Sequence, residues 1–130
     1  MKIDNVLCVD GWSSGNPGLG GYKITNLQGK PLDERNAATI HTNNYYELYG
    51  VYKAVKYAVL NKLSPVTIYT DSATVLYWIS SGKHSATKDA VGVTMMIKTI
   101  RGEMKEHAGI SILKWDTARR GQIPADPGRK

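Results

Sequence analysis

The sequence predicts an α/β domain built on a mixed five-stranded sheet flanked by helices, and three observations predict it. The chain opens on alternating apolar stretches separated by turn residues. Near Asn44 the hydrophobic period changes from two to about 3.6 residues. Short β-branched runs then return at Val66 and Ile110, each after a helical segment.

Residues 3 to 12 alternate as a first strand, with Val6-Leu7-Cys8-Val9 ending at Asp10 and a glycine-rich turn. Gly20 to Leu27 and Asn36 to Thr42 read as two more strands, separated by the turn Gln28-Gly29-Lys30-Pro31. From Asn44, residues Leu48, Val51, Tyr52, Val55 and Val59 fall on one stripe, so a helix runs to Asn61 or Lys62. Ser64-Pro65 breaks it, and Val66 to Thr70 is a strand ending at Asp71. Ala73 to Ser80 is a short helix, Ala86 to His107 a longer one, and Ile110 to Trp115 the last strand. The remainder is read as loop with one closing turn.

Strands one to three run up, down and up, and the first helix returns the chain. The strand ending at Asp71 therefore runs up and can lie parallel to the first. This makes neighbours of their carboxyl ends, which carry Asp10 and Asp71.

At 130 residues and 42% hydrophobic, the chain can fill one core but not two, so a single domain over residues 1–130 is expected. No apolar run reaches the roughly 18 residues of a membrane span, and Asp4 stands where a signal peptide would be apolar. A cytoplasmic monomer with no membrane partner is expected. The one cysteine, Cys8, excludes an internal disulfide and a cysteine-built zinc site. Net charge is +6, of which residues 83 to 130 supply five, which fits a polyanionic partner as well as a plain solvated surface.

Four carboxylates each have an ordinary explanation when taken singly. Asp10 can open a turn, Glu47 can close a capping box with Asn44, Asp71-Ser72 can cap the next helix, and Asp126 can cap a turn begun by Pro127. Brought to one sheet edge they would repel unless a cation neutralised them. Oxygen-only ligation suits Mg²⁺ or Mn²⁺. Without those four acids the rest of the chain carries +10, from 17 bases less seven acids, around a pocket of −4.

The stretches VDGWSSGNPGLGG, HTNNYYEL, IYTDSATVLYW and IPAD occur in the order and at the spacing of the ribonuclease H family, which this chain resembles over nearly its whole length. The resemblance implies a ribonuclease H-like sheet of order 3-2-1-4-5 with strand 2 antiparallel. It also implies an endonuclease that cuts the RNA strand of RNA–DNA hybrids with two Mg²⁺ ions (Mn²⁺ substituting), no small-molecule cofactor, and 5′-phosphate and 3′-hydroxyl products. Carried over by position, Asp10 resembles the carboxylate shared by both metals, Asp126 a ligand on the attacking-water side, and Glu47 and Asp71 ligands on the leaving-oxygen side. Asn16, Asn43 and Asn44 resemble the donors that read RNA 2′-hydroxyls across a shallow minor groove, with Gly11, Gly18 and Ser72 beside them. Thr42 resembles part of a DNA-phosphate pocket.

The chain also departs from the family. No histidine lies in the loop before Asp126, where Arg119 or Arg120 can act only electrostatically. Ala73 stands where a glutamine is common, and little sequence remains for a basic protrusion beyond Lys83, His84 and Lys88. Trp78 is read as core, and the closing helix after Asp126 as reduced to a turn. The alternatives are a DNA nuclease or resolvase on the same fold and a non-catalytic hybrid-binding module. The asparagine donors disfavour the first, and the complete acid set disfavours the second. A nucleotide-binding loop is disfavoured because no Gly-Lys-Ser/Thr follows the glycines.

Overall fold

The computed structural model describes residues 5–126. Its elements are β1 (Asn5–Ser13), β2 (Gly18–Thr25), β3 (Pro31–His41), α1 (Asn43–Leu60), β4 (Val66–Thr70), α2 (Ala73–Ser81), α3 (Ala90–Glu106), β5 (Ile110–Lys114) and α4 (Thr117–Arg120). The five strands form one sheet in the order β3-β2-β1-β4-β5. β2 is antiparallel to both its neighbours, whereas β1, β4 and β5 run parallel, as the sequence leads one to expect.

One face of the sheet carries the main core. Leu7, Val9, Tyr22, Ile24 and Ile68 from the strands meet Leu48, Val51, Ala54, Val55 and Ala58 of α1, with Trp78 of α2 and Ile97 and Ile100 of α3. Each large aliphatic side chain removed from water contributes about 1.5–3 kcal/mol. Trp78 belongs to this core, as expected. The opposite face is covered by the end of the chain: Trp115, Ile123 and Ala125 close over Cys8. The Trp115 indole N–H donates to the Gly121 carbonyl at 2.9 Å, fixing this return segment.

β4 matches its expected bounds, most other ends fall within two residues of theirs, and three larger differences have local reasons. β3 begins at Pro31 rather than Asn36 because it is an edge strand whose charged, exposed residues hide the alternation. The turn before it is set by Asn26, whose Oδ1 accepts from the Gln28 and Lys30 N–H groups. α3 begins at Ala90 rather than Ala86: His84 Nδ1 accepts the Ala86 N–H, and Asp89 lies in the left-handed region at φ 58°. Those side-chain bonds compete with the helix ladder. The segment read as loop after β5 contains α4, capped by Asp116, whose side chain accepts from the Arg119 N–H. The turn expected after Asp126 lies outside the described residues.

Candidate active site and nucleic-acid cleft

The strand register brings the first two acids together. β1 pairs with β4 as Leu7 with Ile68 and Cys8 with Tyr69, and the same offset continued two residues sets Asp10 opposite Asp71. Glu47 arrives from α1, where the capping-box explanation fails. The helix N-cap is Thr42, whose Oγ1 accepts from the Tyr45 N–H at 3.1 Å, so Glu47 falls in the second turn and cannot bond back to the cap. It is buried, at 4% exposure, and Asp10 is buried at 1%.

The close approach of α1 depends on glycine. A β-carbon at Gly11 would stand 2.1 Å from the Tyr46 carbonyl oxygen and 2.6 Å from the Glu47 nitrogen. One at Gly20 would overlap the Trp12 carbonyl and the Tyr46 ring. Gly11, assigned to substrate contact by resemblance, is thus the seat on which the first turns of the helix rest.

One carboxylate oxygen from each of Asp10, Glu47 and Asp71 lies within 4.8 Å of the others. At about 5 Å and an effective dielectric near 20, each like-charge pair repels by about 3 kcal/mol. Oxygen-only and convergent, with two of its three members buried, this donor set fits a hard divalent cation such as Mg²⁺ or Mn²⁺. Asp126 is half-buried and stands outside that 4.8 Å group, at the end of the segment anchored by Ile123 and Ala125. Its N–H donates to the Ile123 carbonyl.

A cleft of about 310 Å³ is lined by Asn16, Pro17, Thr42, Asn44, Trp78 and the 85–88 segment ending at Lys88, so that its walls include the β1–β2 turn and the start of α1, which follow Asp10 and precede Glu47 in the chain. It gathers three of the expected contact residues: Asn16, Thr42 and Asn44. Asn16 Oδ1 accepts the Asn43 N–H at 2.8 Å, and Asn43 Oδ1 accepts the Ser13 N–H at 3.3 Å. Both amides therefore tie the β1–β2 turn to the start of α1 through their oxygens. Their NH₂ donors make no hydrogen bond among the described residues. Gly18 continues that turn as the first residue of β2. Ser72 is the N-cap of α2, accepting the Val75 N–H at 3.1 Å, so the capping duty assigned to Asp71-Ser72 falls on the serine.

The two arginines separate. Arg119 is exposed and pairs with Asp116 at 3.6 Å, while the Arg120 guanidinium stacks on Trp115 at 3.9 Å and reaches Tyr69. The sequence reading does not reach Ser85, Thr87 or Asp89. Ser85 and Thr87 were signalled only by hydroxyls beside Lys88, and the Asp89 contact with His41 spans 48 residues, beyond any local pattern.

The RNase H family model matches residues 3–116. The chain is 29% identical to a Ribonuclease H of Francisella philomiragia over 136 residues, 96% of this chain and 88% of that one. It is 26% identical to a Ribonuclease H of Syntrophus aciditrophicus, covering 95% and 85%. Among solved structures, the N-terminal RNase H domain of rv2228c from Mycobacterium tuberculosis superposes with a TM-score of 0.67 at 22% identity, covering 92% and 91%. LC11-RNase H1, solved in complex with an RNA/DNA hybrid, does so at 0.64 and 20%, covering 92% and 91%. At these identities the structural likeness establishes the shared fold, and the family match establishes the relationship. With the acids of the first three ordered motifs seen to converge in space, the chain belongs to the RNase H family and is a ribonuclease H enzyme.

Proposed function

We propose that the chain is a monomeric endonuclease that cuts the RNA strand of RNA–DNA hybrids, with Asp10, Glu47, Asp71 and Asp126 holding two Mg²⁺ ions, for which Mn²⁺ substitutes. The observation that carries this reading is the convergence of three carboxylates within 4.8 Å, on a fold whose β1–β2 turn and α1 start also line a cleft with Asn16, Thr42, Asn44 and Lys88. The hybrid complex of LC11-RNase H1 supports the choice of substrate. When bound, the cations would make the incoming water a better nucleophile and hold the charge growing on the leaving 3′-oxygen. The expected products are a 5′-phosphate and a 3′-hydroxyl.

The protein groups divide the remaining work. Asp10, at the centre, is assigned to both ions; Glu47 and Asp71 to the leaving-group side; Asp126 to the side of the attacking water. Asp126 would complete the set once metal and hybrid are bound. The NH₂ groups of Asn16 and Asn43, with Asn44, would donate to RNA 2′-hydroxyls, which distinguish RNA from DNA. Thr42 and Lys88 would hold a phosphate of the DNA strand. Arg119, exposed, would add electrostatic attraction, while Arg120 is committed largely to Trp115.

The test incubates labelled RNA–DNA hybrid, duplex RNA and duplex DNA with Mg²⁺, Mn²⁺ or chelator, comparing the parent with Asp71→Asn. Cleavage of only the RNA strand of the hybrid, lost with chelator and with the substitution, is expected. Robust cutting of duplex DNA would move the assignment to a resolvase-like nuclease.

A further inference from the structure

The loop that carries Lys88 into the cleft is joined to the opposite wall by a polar side-chain contact between His41 and Asp89. His41 ends β3, one residue before Thr42, and Asp89 follows Lys88 directly. His41 Nδ1 lies 2.7 Å from Asp89 Oδ2, across 48 residues of sequence. Thr42 and Lys88 line the same 310 Å³ cleft, so this contact joins its two walls next to the groups that face inward.

Several details show that the contact is built rather than incidental. Asp89 is the N-cap residue of α3, yet its side chain makes no cap hydrogen bond and turns to His41 instead. An aspartate usually stabilises a helix from that position by accepting a backbone N–H, so the bond to His41 must offset the loss of that cap. Asp89 also adopts the left-handed conformation, φ 58°, which non-glycine residues seldom occupy. On the other wall the His41 ring is held by stacking on Tyr45, with ring centroids 3.8 Å apart, and by an edge contact to Tyr46 at 5.5 Å. The far end of the loop is fixed independently, by His84 Nε2 with Thr94 Oγ1 at 2.7 Å.

We propose that His41 and Asp89 are positioning residues: their contact clasps the cleft at the spacing that lets Thr42 and Lys88 grip one nucleic-acid phosphate together. The inference rests on the hybrid-nuclease reading above and adds to it a pair that touches neither metal nor substrate. Its effect falls on substrate affinity, because the carboxylate cluster is assembled from β1, α1 and β4 without this loop.

The sign of the effect separates a clasp from a simple charge. Asp89 puts a negative group beside a phosphate cleft, so neutralising it would tighten hybrid binding if through-space electrostatics dominated. If the clasp dominates, Asp89→Asn weakens binding. The experiment measures kcat and KM on an RNA–DNA hybrid for the parent, Asp89→Asn, His41→Gln, Lys88→Ala and the Asp89→Asn/Lys88→Ala double variant. Hybrid affinity with chelator present is measured by fluorescence anisotropy. We expect KM to rise about three- to tenfold in Asp89→Asn and in His41→Gln, with kcat unchanged, in the range for losing one partly exposed charge-assisted hydrogen bond. The double variant should be no worse than Lys88→Ala alone, since the clasp acts through that lysine. A loss of folded protein would instead lower apparent kcat at constant KM. An unchanged or lower KM in Asp89→Asn, or additive losses in the double variant, overturns the clasp while leaving the nuclease reading intact. A parent that neither binds nor cuts hybrid overturns both.

Discussion

Gly11 of β1 and Glu47 of α1 are in such close contact that a β-carbon on the first would stand 2.6 Å from the backbone nitrogen of the second. The neighbouring Tyr46 carbonyl would be nearer still, at 2.1 Å, and both are backbone atoms that cannot rotate away. The helix can rest on the strand only where the strand has no side chain, and that contact carries a buried carboxylate to the end of β1. Gly11→Ala should therefore lift the first turns of α1. We expect a destabilisation of about 3 kcal/mol or more, at or above the upper end of ordinary overpacking, by denaturant titration. Hybrid cleavage should fall at least about 100-fold, as expected when a reacting group is displaced by about 1 Å. A variant with parental cleavage and stability would show that Glu47 does not depend on this seat.

The acidic cluster should trade stability for metal affinity. Three carboxylates within 4.8 Å, two of them buried, repel one another when no cation is bound. In chelator, Asp10→Asn should thus be at least as stable as the parent despite the loss of activity. Adding Mg²⁺ at about 100 times its dissociation constant should stabilise the parent by about 2.7 kcal/mol and the variant by much less. Thermal melts with and without cation check this. Equal metal-induced shifts in both proteins would place the binding site elsewhere.

Cys8 should be inert at neutral pH and should shape the alkaline limb of stability. Burial pushes its thiol from 9.0 up to about 11, and the Arg120 guanidinium draws it partly back. Its folded pKa is above its unfolded one, so the contribution to stability is complete below pH 9 and is lost as pH rises from 9 toward 11. Two units at about 1.4 kcal/mol each give a loss of about 3 kcal/mol. The difference between the parent and Cys8→Ala, measured by denaturant titration across pH 8 to 11, isolates this from other groups that titrate there. At pH 7.5 a thiol reagent should modify Cys8 only at the rate of unfolding. Fast modification of the folded protein would contradict the burial argument.

Much of the architecture is legible in local pattern. Alternation before Asn44, the single stripe from Leu48 to Val59 and the β-branched run at Val66 dictate strand, helix and strand by where apolar side chains recur. The right-handed crossover rule then sets β4 beside β1 and so makes neighbours of the strand ends that carry Asp10 and Asp71. Polar edge residues in Pro31–Arg35 and the short α4 carry no such periodicity, and for that reason their boundaries were obscure.

By itself the sequence determined the order of the five strands and three longer helices, the parallel pairing of β4 with β1 and the shared edge of Asp10 and Asp71, because those depend on hydrophobic period and chain direction; the place of β5 and of Asp126 came with the family resemblance. Tertiary structure alone decided that Thr42 rather than Asn44 caps α1, that Gly11 is the seat of the helix, that Arg120 lies on Trp115, and that His41 meets Asp89. Each of these depends on packing between segments far apart in the chain, where distances of a few tenths of an ångström decide the contact and no local pattern records it.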